Sequence, residues 1–149
     1  MIILRKVISN SDMDNKCKSK LPENWANVID ESFRYGMIEL LILSMLVKKD
    51  MYAYDIKQEI QSRSNGEFNI KDGSMYGPIY KMLERGLISC RQELVGEKRF
   101  RKYYHLEDLG KEYLACCIDR FYTLFNVTDT IISEYLNYTD FDIKKTDKP

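Results

Sequence analysis

The chain of 149 residues is 44% hydrophobic and 31% charged, and its 23 Lys/Arg balance its 23 Asp/Glu, so its net charge is zero. These values are ordinary for one globular domain with its own core. No stretch approaches the roughly 20 apolar residues of a membrane helix, and the apolar residues 1–4 are too few for a signal peptide. We therefore expect a cytoplasmic protein with no membrane partner.

The cysteines and the single histidine argue against a metal centre. Cys17, Cys90, Cys116 and Cys117 show no Cys-x-x-Cys spacing, and His105 is the only histidine. A zinc site needs four ligands in a regular arrangement. We therefore predict free cysteines in a reducing compartment and no bound metal.

The N-terminal third predicts a tail followed by helices. Residues 9–12 and 15–20 are polar and without periodicity, which indicates a flexible tail over residues 1–20. A first helix is predicted after Pro22, with one apolar face made of Trp25, Val28, Ile29 and Phe33. Residues 36–48 are apolar nearly all round, which predicts burial on all sides, against the core and against a second subunit. The pattern leaves open whether the two segments form one helix weakened at Gly36.

Two further helices are predicted in the middle of the chain. Asp50 is a suitable cap for a helix over residues 51–62, and residues 68–70 read as a short extended segment. The next helix begins at a cap on Asp72 or Ser74 and reaches Arg85. Gly86 is expected to end it in the left-handed conformation that glycine tolerates. Because Pro78 removes a helical hydrogen bond, either this helix begins nearer Ser74 or its first turn is distorted.

The C-terminal half predicts a hairpin and one long helix. Residues 87–95 and 100–106 read as strands with Gly96 in the turn. Residues 108–136 carry an apolar stripe at three-to-four spacing and predict a single helix, and residues 138–149 indicate a second flexible tail.

A helix stopped by glycine and followed by a hairpin with a basic tip is typical of a winged helix-turn-helix. Within residues 52–106 there are ten Lys/Arg and seven Asp/Glu, a local charge of +3 on a neutral chain. We therefore predict a mainly α fold with a small β-hairpin. The winged helix-turn-helix DNA-binding domain would span residues 21–106, with a dimerisation helix over residues 107–137.

Candidate DNA contacts lie on the recognition helix, the wing and the preceding helix. The helix supplies outward or N-terminal positions that can reach bases and phosphates, although its tyrosines would alternatively only pack. The wing supplies clustered cations for phosphates, although charges are also common at solvated hairpin tips. The preceding helix supplies two residues that could touch the backbone or simply face solvent. The candidates are Ser74, Met75, Tyr76, Tyr80 and Lys81; Lys98, Arg99, Arg101, Lys102 and Tyr103; and Tyr52 and Lys57.

A second set of residues could bind a small molecule. Trp25 with Phe121, Tyr122 and Phe125 would wall a pocket for a planar ligand, although an aromatic stripe is more often core. No carboxylate pair, nucleophile with a base, or glycine-rich phosphate loop is visible. We expect no enzymatic activity and no cofactor.

These motifs together resemble the PadR family of bacterial transcriptional regulators. The resemblance covers roughly residues 36–114 and rests on four segments in order. They read Tyr-Ala-Tyr-Asp-Ile (52–56), Gly-Ser-Met-Tyr (73–76), Gly-Leu-Ile (86–88) and Arg-Lys-Tyr-Tyr-His-Leu-Glu-Asp-Leu-Gly (101–110). The chain departs from the family pattern at Ala53, which replaces a glycine, at Gly77-Pro78, where the proline is shifted by one place, and at Glu107, which replaces a threonine.

The resemblance implies a homodimer that reads an inverted-repeat operator in double-stranded DNA, most simply as a repressor. The single long C-terminal helix is similar to the compact subgroup of the family, some members of which bind flat aromatic molecules between subunits, so a small aromatic effector is implied. The alternative from another class is a winged-helix module that docks a partner protein without reading DNA sequence. Zero net charge favours this alternative, and the clustered wing cations disfavour it.

Overall fold

The computed structural model describes residues 23–136, with side chains for residues 28–134 except Asp30. The predicted tails, 1–20 and 138–149, lie outside this range. The elements in chain order are α1 (Glu23–Tyr35), α2 (Ile38–Leu46), β1 (Met51–Tyr52), α3 (Ala53–Arg63), α4 (Asp72–Glu84), β2 (Ile88–Val95), β3 (Arg99–Leu106) and α5 (Asp108–Leu136). The predicted fold class, mainly α with a small β-hairpin in a winged-helix arrangement, is confirmed.

The chain divides into two compact units. The larger unit runs from Arg34 to Val127 and contains α2 to β3 and most of α5. The described part of the smaller unit consists of residues 23–33 of α1 and residues 128–136 of α5. The boundaries between the units therefore fall inside helices α1 and α5.

The first two helices are separate. α1 ends at Tyr35, and the Met37 N–H donates to the Arg34 carbonyl at 3.0 Å before α2 begins at Ile38. One face of α2 is fully buried, while the rest of its apolar residues are only partly covered within the chain. This segment was expected to be buried on every side. Within a single chain only the face towards the core is fully buried.

The structure corrects the prediction for residues 50–52. Met51 and Tyr52 form the short strand β1, which pairs with Tyr104 and Tyr103 of β3, so the helix begins two residues later than predicted, at Ala53. The side chain of Asp50 does not cap that helix. It accepts a hydrogen bond from Arg91 and lies 2.7 Å from Nδ1 of His105.

The start of α4 also differs from the prediction, because neither Asp72 nor Ser74 caps it. Lys71 holds the cap position in an extended conformation without a side-chain hydrogen bond to the helix. The Ser74 N–H donates to the Lys71 carbonyl at 2.9 Å, which closes a tight first turn. The helix therefore starts at Asp72 and carries Pro78 inside it, with the proline ring buried.

The end of α4 confirms the role predicted for Gly86. Its φ of +69° lies in the left-handed region. The Gly86 N–H donates to the Leu83 carbonyl at 3.0 Å, and the Leu87 N–H donates to the Met82 carbonyl at 2.9 Å. These two bonds form a Schellman motif, which turns the chain from α4 directly into the hairpin.

The three strands form an antiparallel sheet in the order β1-β3-β2. β2 and β3 pair from Ile88 opposite Leu106 out to Val95 opposite Arg99, and Gly96 occupies the turn with a φ of +70°. The sheet closes over one core shared by the helices. Its buried members are Ile38, Ile42, Leu43, Leu46, Met51, Ile56, Ile60, Ile70, Met75, Ile79, Met82, Leu87, Ile88, Tyr104, Leu106 and Leu114.

A close backbone contact fixes the junction between the hairpin and α5. The Glu107 N–H donates to the Leu87 carbonyl at 3.1 Å. A Cβ atom added at Gly110 would lie 2.1 Å from that same carbonyl oxygen, so only glycine fits there. The first turn of α5 is therefore packed directly against the segment that links α4 to the wing.

Candidate nucleic-acid interface

Helix α4 presents one face to the core and the opposite face to solvent. Met75, Ile79 and Met82 are buried, whereas Tyr76, Tyr80 and Lys81 are exposed and Ser74 is half-buried. Met75 is only 2% exposed, so we assign it to the core and not to the contact surface, which corrects the expectation from the sequence. The other four candidates on this helix remain available to a ligand.

A shallow groove lies between α4 and the wing. Its volume is about 240 Å³, and its lining residues are Tyr52, Ala53, Tyr54, Tyr76, Arg101, Lys102 and Tyr104. Burial raises the pKa of Tyr104, and Cys90, Tyr76 and Tyr80 add smaller effects in the same direction. Tyr54 and Tyr104 were not among the candidates, because their position beside Tyr76 depends on the pairing of β1 with β3.

Stacked aromatic rings hold Arg101 in place at the edge of this groove. Its guanidinium carbon lies 4.5 Å from the ring centroid of Tyr52, and Tyr52 contacts Tyr103 edge-to-face at 5.7 Å between centroids. A hydrogen bond with Asp55 and partial burial raise the pKa of the Tyr52 phenol. Stacking and a hydrogen bond with the Tyr52 phenol, which acts in turn to lower the pKa of that phenol, restrain the guanidinium, and the remaining N–H donors suit a phosphate or base contact.

Lys57 forms a salt bridge with Asp72 at the start of α4. Its ammonium donates to Asp72 Oδ1 at 2.6 Å, and its side chain is only 19% exposed. The pair lines a second shallow groove of about 220 Å³ together with Ala53, Tyr54, Met75 and Tyr76. In this arrangement Lys57 positions the N-terminus of α4 as well as adding positive charge near it.

Most cations of the outer wing form no ion pair within the described residues. Lys98, Arg99 and Lys102 are exposed, and within the described residues none of the three forms an ion pair. Arg91, nearer the base of the hairpin, instead donates to Asp50 and to Glu93. The outer part of the wing thus presents positive charge that the chain itself does not neutralise.

The predicted ligand residues form an aromatic cluster on α5. Phe121 contacts Tyr122 edge-to-face at 5.4 Å and stacks on Phe125 at 6.2 Å between centroids, and the latter two side chains are exposed. The side chain of Trp25, their predicted partner, lies outside the described part of the structure. The cluster is therefore present on α5, and its pairing with Trp25 stays a prediction.

The described residues, 23–136, hold no metal-binding cluster of side chains and no membrane-spanning helix. In that range no group of three or more His, Cys, Asp and Glu side chains is arranged to hold a metal ion. Cys90, Cys116 and Cys117 are free thiols. No helix within the same range combines the length and apolarity needed to cross a membrane.

A helix with one outward face, capped by a glycine and followed directly by a basic antiparallel hairpin, defines a winged-helix DNA-binding protein. The model of the transcriptional regulator PadR-like family matches residues 42–116, which is 75 of the 149 residues. The chain belongs to this family. The family predicted from the sequence motifs is thereby confirmed, as is the class of the protein, a transcriptional regulator and not an enzyme.

Curated relatives match over about half of the chain. A protein of Lysinibacillus sphaericus is 35% identical over 80 residues, which cover 54% of this chain and 73% of that protein. The negative transcriptional regulator PadR of Bacillus subtilis is 28% identical over 78 residues, which cover 52% of this chain and 43% of that protein. The chain thus matches less than half the length of the Bacillus regulator.

Solved structures match the same region. A PadR family transcription regulator from Clostridium difficile is 32% identical with a TM-score of 0.55, covering 64% of this chain and 98% of that chain. The Bacillus subtilis PadR crystal structure in complex with operator DNA is 27% identical with a TM-score of 0.52, covering 55% of this chain and 47% of that chain. The second match relates the fold described above to a protein seen bound to its operator.

Proposed function

We propose that this protein is a homodimeric repressor that binds an inverted-repeat operator through α4 and the wing. The observation that carries the proposal is the adjacency of two surfaces of different chemistry. The outward face of α4 offers phenols and a hydroxyl, while the wing beside it offers cations that pair with no acid of the described chain. Such a pairing separates base contacts from phosphate contacts.

In this proposal α4 enters the major groove. Ser74 and Tyr76 lie in its first turns, where side chains reach base edges and the helix N-terminus favours a phosphate. Tyr80 and Lys81 follow on the same outer side. The structural match to Bacillus subtilis PadR in complex with operator DNA supports this use of the fold.

The wing cations and the tyrosines near β1 would bind the DNA backbone. Lys98, Arg99 and Lys102 are free to contact phosphates, and Arg101 is held ready by its stacking on Tyr52. Tyr103 borders this stack from β3. These contacts would supply most of the affinity and its dependence on salt, and little of the sequence preference.

Homodimer formation would use α1 and α5. In the larger unit α5 exposes Tyr122, Leu124, Phe125 and Val127. In the smaller unit α1 exposes Phe33. Exposed apolar side chains that cluster on the surface of a helix mark an interaction surface. A two-fold dimer would place two recognition helices about 34–36 Å apart, one turn of B-DNA, and would read an inverted repeat.

A repressor role and an effector complete the proposal. The name of the Bacillus subtilis relative, a negative transcriptional regulator, supports repression. The cluster of Phe121, Tyr122 and Phe125 supports a flat aromatic effector that would bind at the dimer helices. Such an effector would release DNA if it bound more tightly to a dimer whose recognition helices are wrongly spaced.

Fluorescence anisotropy would test the proposal, with duplex DNA from the protein's own promoter region against a scrambled duplex at two salt concentrations. We expect tighter binding to the promoter duplex and a steep loss of affinity as salt rises. Weak and equal binding to both duplexes would contradict a repressor of its own promoter. That result would favour a protein-docking winged helix, which a pull-down with the intact chain would then examine.

A further inference from the structure

The outer part of the wing carries an exposed apolar pair that the phosphate contacts leave unused. Phe100 on β3 is 69% exposed and Leu94 on β2 is 57% exposed. The two residues are direct partners in the antiparallel register, so their side chains lie next to each other on one face of the hairpin. Single exposed apolar residues are ordinary, but an adjacent pair near the end of an edge strand is usually avoided.

The pair lies on the face of the hairpin that is turned towards α4. Alternation along β3 places Phe100 on the same face as Lys102 and Tyr104. Tyr104 is buried in the core and lies near Tyr76 and Tyr80, both of which affect its pKa. A ligand bound on the outward side of α4 therefore meets the face of the wing that carries Phe100 and Leu94.

The length of the strand allows this pair to reach beyond the major groove. Phe100 is four residues farther along β3 than Tyr104, which corresponds to about 13 Å at the rise of a β-strand. The major groove of B-DNA is about 12 Å wide. With α4 in that groove, the strand is therefore long enough for Phe100 to reach the phosphate backbone at its edge and the adjacent minor groove.

The charges around the pair favour nucleic acid over another protein surface. Lys102 shares the face of the pair, Lys98 and Arg99 lie at the adjoining tip, and none of the three forms an ion pair within the described residues. Of the two nearest acids, Glu93 is paired with Arg91, and Glu97 lies at the tip. An apolar centre with a cationic rim matches a minor groove, in which sugars and base edges lie between two phosphate backbones. Phe and Leu are among the side chains that proteins insert there as wedges between base steps.

We infer that Phe100 and Leu94 form an apolar wedge that enters the minor groove flanking the site read by α4, an inference that rests on the proposed binding of operator DNA by this face. The wedge would pack on sugars and partly unstack one base step. Its energy would depend on how easily that step deforms, so it would favour flexible pyrimidine–purine steps in the flank. The wing would thereby contribute to sequence preference as well as to affinity.

The test compares Phe100→Ala and Leu94→Ala with the wild-type chain on the promoter-region duplex. Ser62→Ala is the control, because Ser62 is exposed, uncharged and outside the surfaces proposed for DNA and for a second subunit. We expect Phe100→Ala to lose roughly tenfold in affinity relative to wild type, as for the loss of an aromatic contact to a base. Leu94→Ala should also lose affinity, but by a smaller factor. Phe100→Leu should keep part of the affinity, since it keeps an apolar side chain.

Two further readouts separate a wedge from a damaged wing. Hydroxyl-radical footprinting reports the minor groove, so Phe100→Ala should lose protection in the flank and keep it at the centre. The dependence of affinity on salt should be unchanged in Phe100→Ala, because no charge is removed, whereas Lys102→Ala should lower the slope by about one. A lower salt slope in Phe100→Ala would mean that the wing cations had moved, and it would overturn the wedge.

The remaining outcomes are distinct from each other. If the wild-type chain binds the promoter duplex selectively while Phe100→Ala matches it in affinity and footprint, the wedge is wrong and the proposed function stands. If the wild-type chain does not prefer the promoter duplex to scrambled DNA, the proposed function fails and the wedge fails with it. A change in oligomeric state on sedimentation of Phe100→Ala would assign the pair to contact with a second copy and would also overturn the inference.

Discussion

The inner and outer halves of the wing have the same backbone structure and opposite chemistry. In the inner half, residues 88–91 and 103–106, Ile88, Tyr104 and Leu106 are buried, and Arg91 and His105 are paired with Asp50. In the outer half, residues 92–102, Phe100 is uncovered and most cations have no partner in the described chain. The charged groups of the inner half are paired within the chain, whereas the outer half leaves its cations and Phe100 exposed, as the proposed contact with DNA requires.

This difference separates residues that stabilise the fold from residues that bind. A substitution in the inner half, except at Tyr103, which borders the proposed backbone contacts, should lower stability and leave the affinity of the folded molecule unchanged. A substitution in the outer half should do the reverse, because exposed unpaired cations contribute little to folding. The comparison fails if a substitution in either half alters both properties.

The largest effect is expected from Gly110→Ala, at the anchor of the inner half. The new Cβ would lie 2.1 Å from the Leu87 carbonyl oxygen, and backbone on both sides must move to relieve the overlap. We expect a loss of about 3 kcal/mol in the free energy of unfolding, at the upper end for overpacking. Urea unfolding measures it, and Gly36→Ala is the control because its Cβ would meet no atom within 4 Å. Equal stability of both variants would contradict the tight junction.

The next largest effect is expected from Lys98→Ala combined with Arg99→Ala at the tip. Loss of two phosphate contacts should weaken binding to every duplex by roughly tenfold to a hundredfold and lower the salt slope by about two. The free energy of unfolding should stay within about 0.5 kcal/mol of wild type. Anisotropy titrations at several salt concentrations measure the slope, and an unchanged slope would remove the tip from the interface.

Local signals in the sequence were sufficient to predict most of the fold. The Gly86 terminator, the Gly96 turn and the apolar period of α5 each act over a few residues, and each lies where predicted. The segment at Asp50 was predicted wrongly because its conformation depends on residues 40 to 55 positions away. Met51 and Tyr52 become a strand because β3 pairs with them, and Asp50 serves Arg91 and His105 instead of a helix end.

The residues of the candidate site also divide into those that local sequence signals identify and those whose role depends on distant contacts. Exposed positions on α4 could be chosen from its period, but Met75 was placed at the interface as well, and its burial follows from packing against the core. Lys57 could be named as a cation, whereas its pairing with Asp72 depends on how α3 meets α4. The significance of Phe100 needs the register of β2, which places Leu94 directly beside it.

A smaller and more selective effect is expected from Tyr76→Ala, which compares α4 with the wing. Tyr76 is exposed on the outer face of the helix and lines both grooves. If it contacts a base, its loss should weaken promoter binding by about 1–3 kcal/mol and scrambled-duplex binding far less. Tyr76→Phe is the matched variant, because it removes only the hydroxyl. An equal loss on both duplexes would make Tyr76 a backbone contact or a packing residue.

The smallest effect is expected from Asp50→Asn, which removes the charged partner of Arg91 and His105 in the inner half, and its dependence on pH identifies it. A hydrogen bond with His105 and then one with Arg91 lower the pKa of Asp50 below its usual 3.8. A carboxylate with a lowered pKa stabilises the fold above the unfolded pKa, and this stability is lost as pH falls through the folded pKa. The stability gap between wild type and Asp50→Asn should therefore be constant above about pH 5 and narrow towards acid pH.

Because Asp50 is partly exposed and the pair is screened by solvent, we expect that gap to be less than about 1 kcal/mol at neutral pH. Urea unfolding of both proteins from pH 7 down to pH 3 measures it. The affinity of Asp50→Asn for the promoter duplex should equal that of wild type, because Asp50 and its partners Arg91 and His105 make no contact with DNA in the proposed complex. A gap that widens towards acid pH would contradict the assigned pairing, and a loss of affinity at full stability would show that the inner half belongs to the binding surface after all.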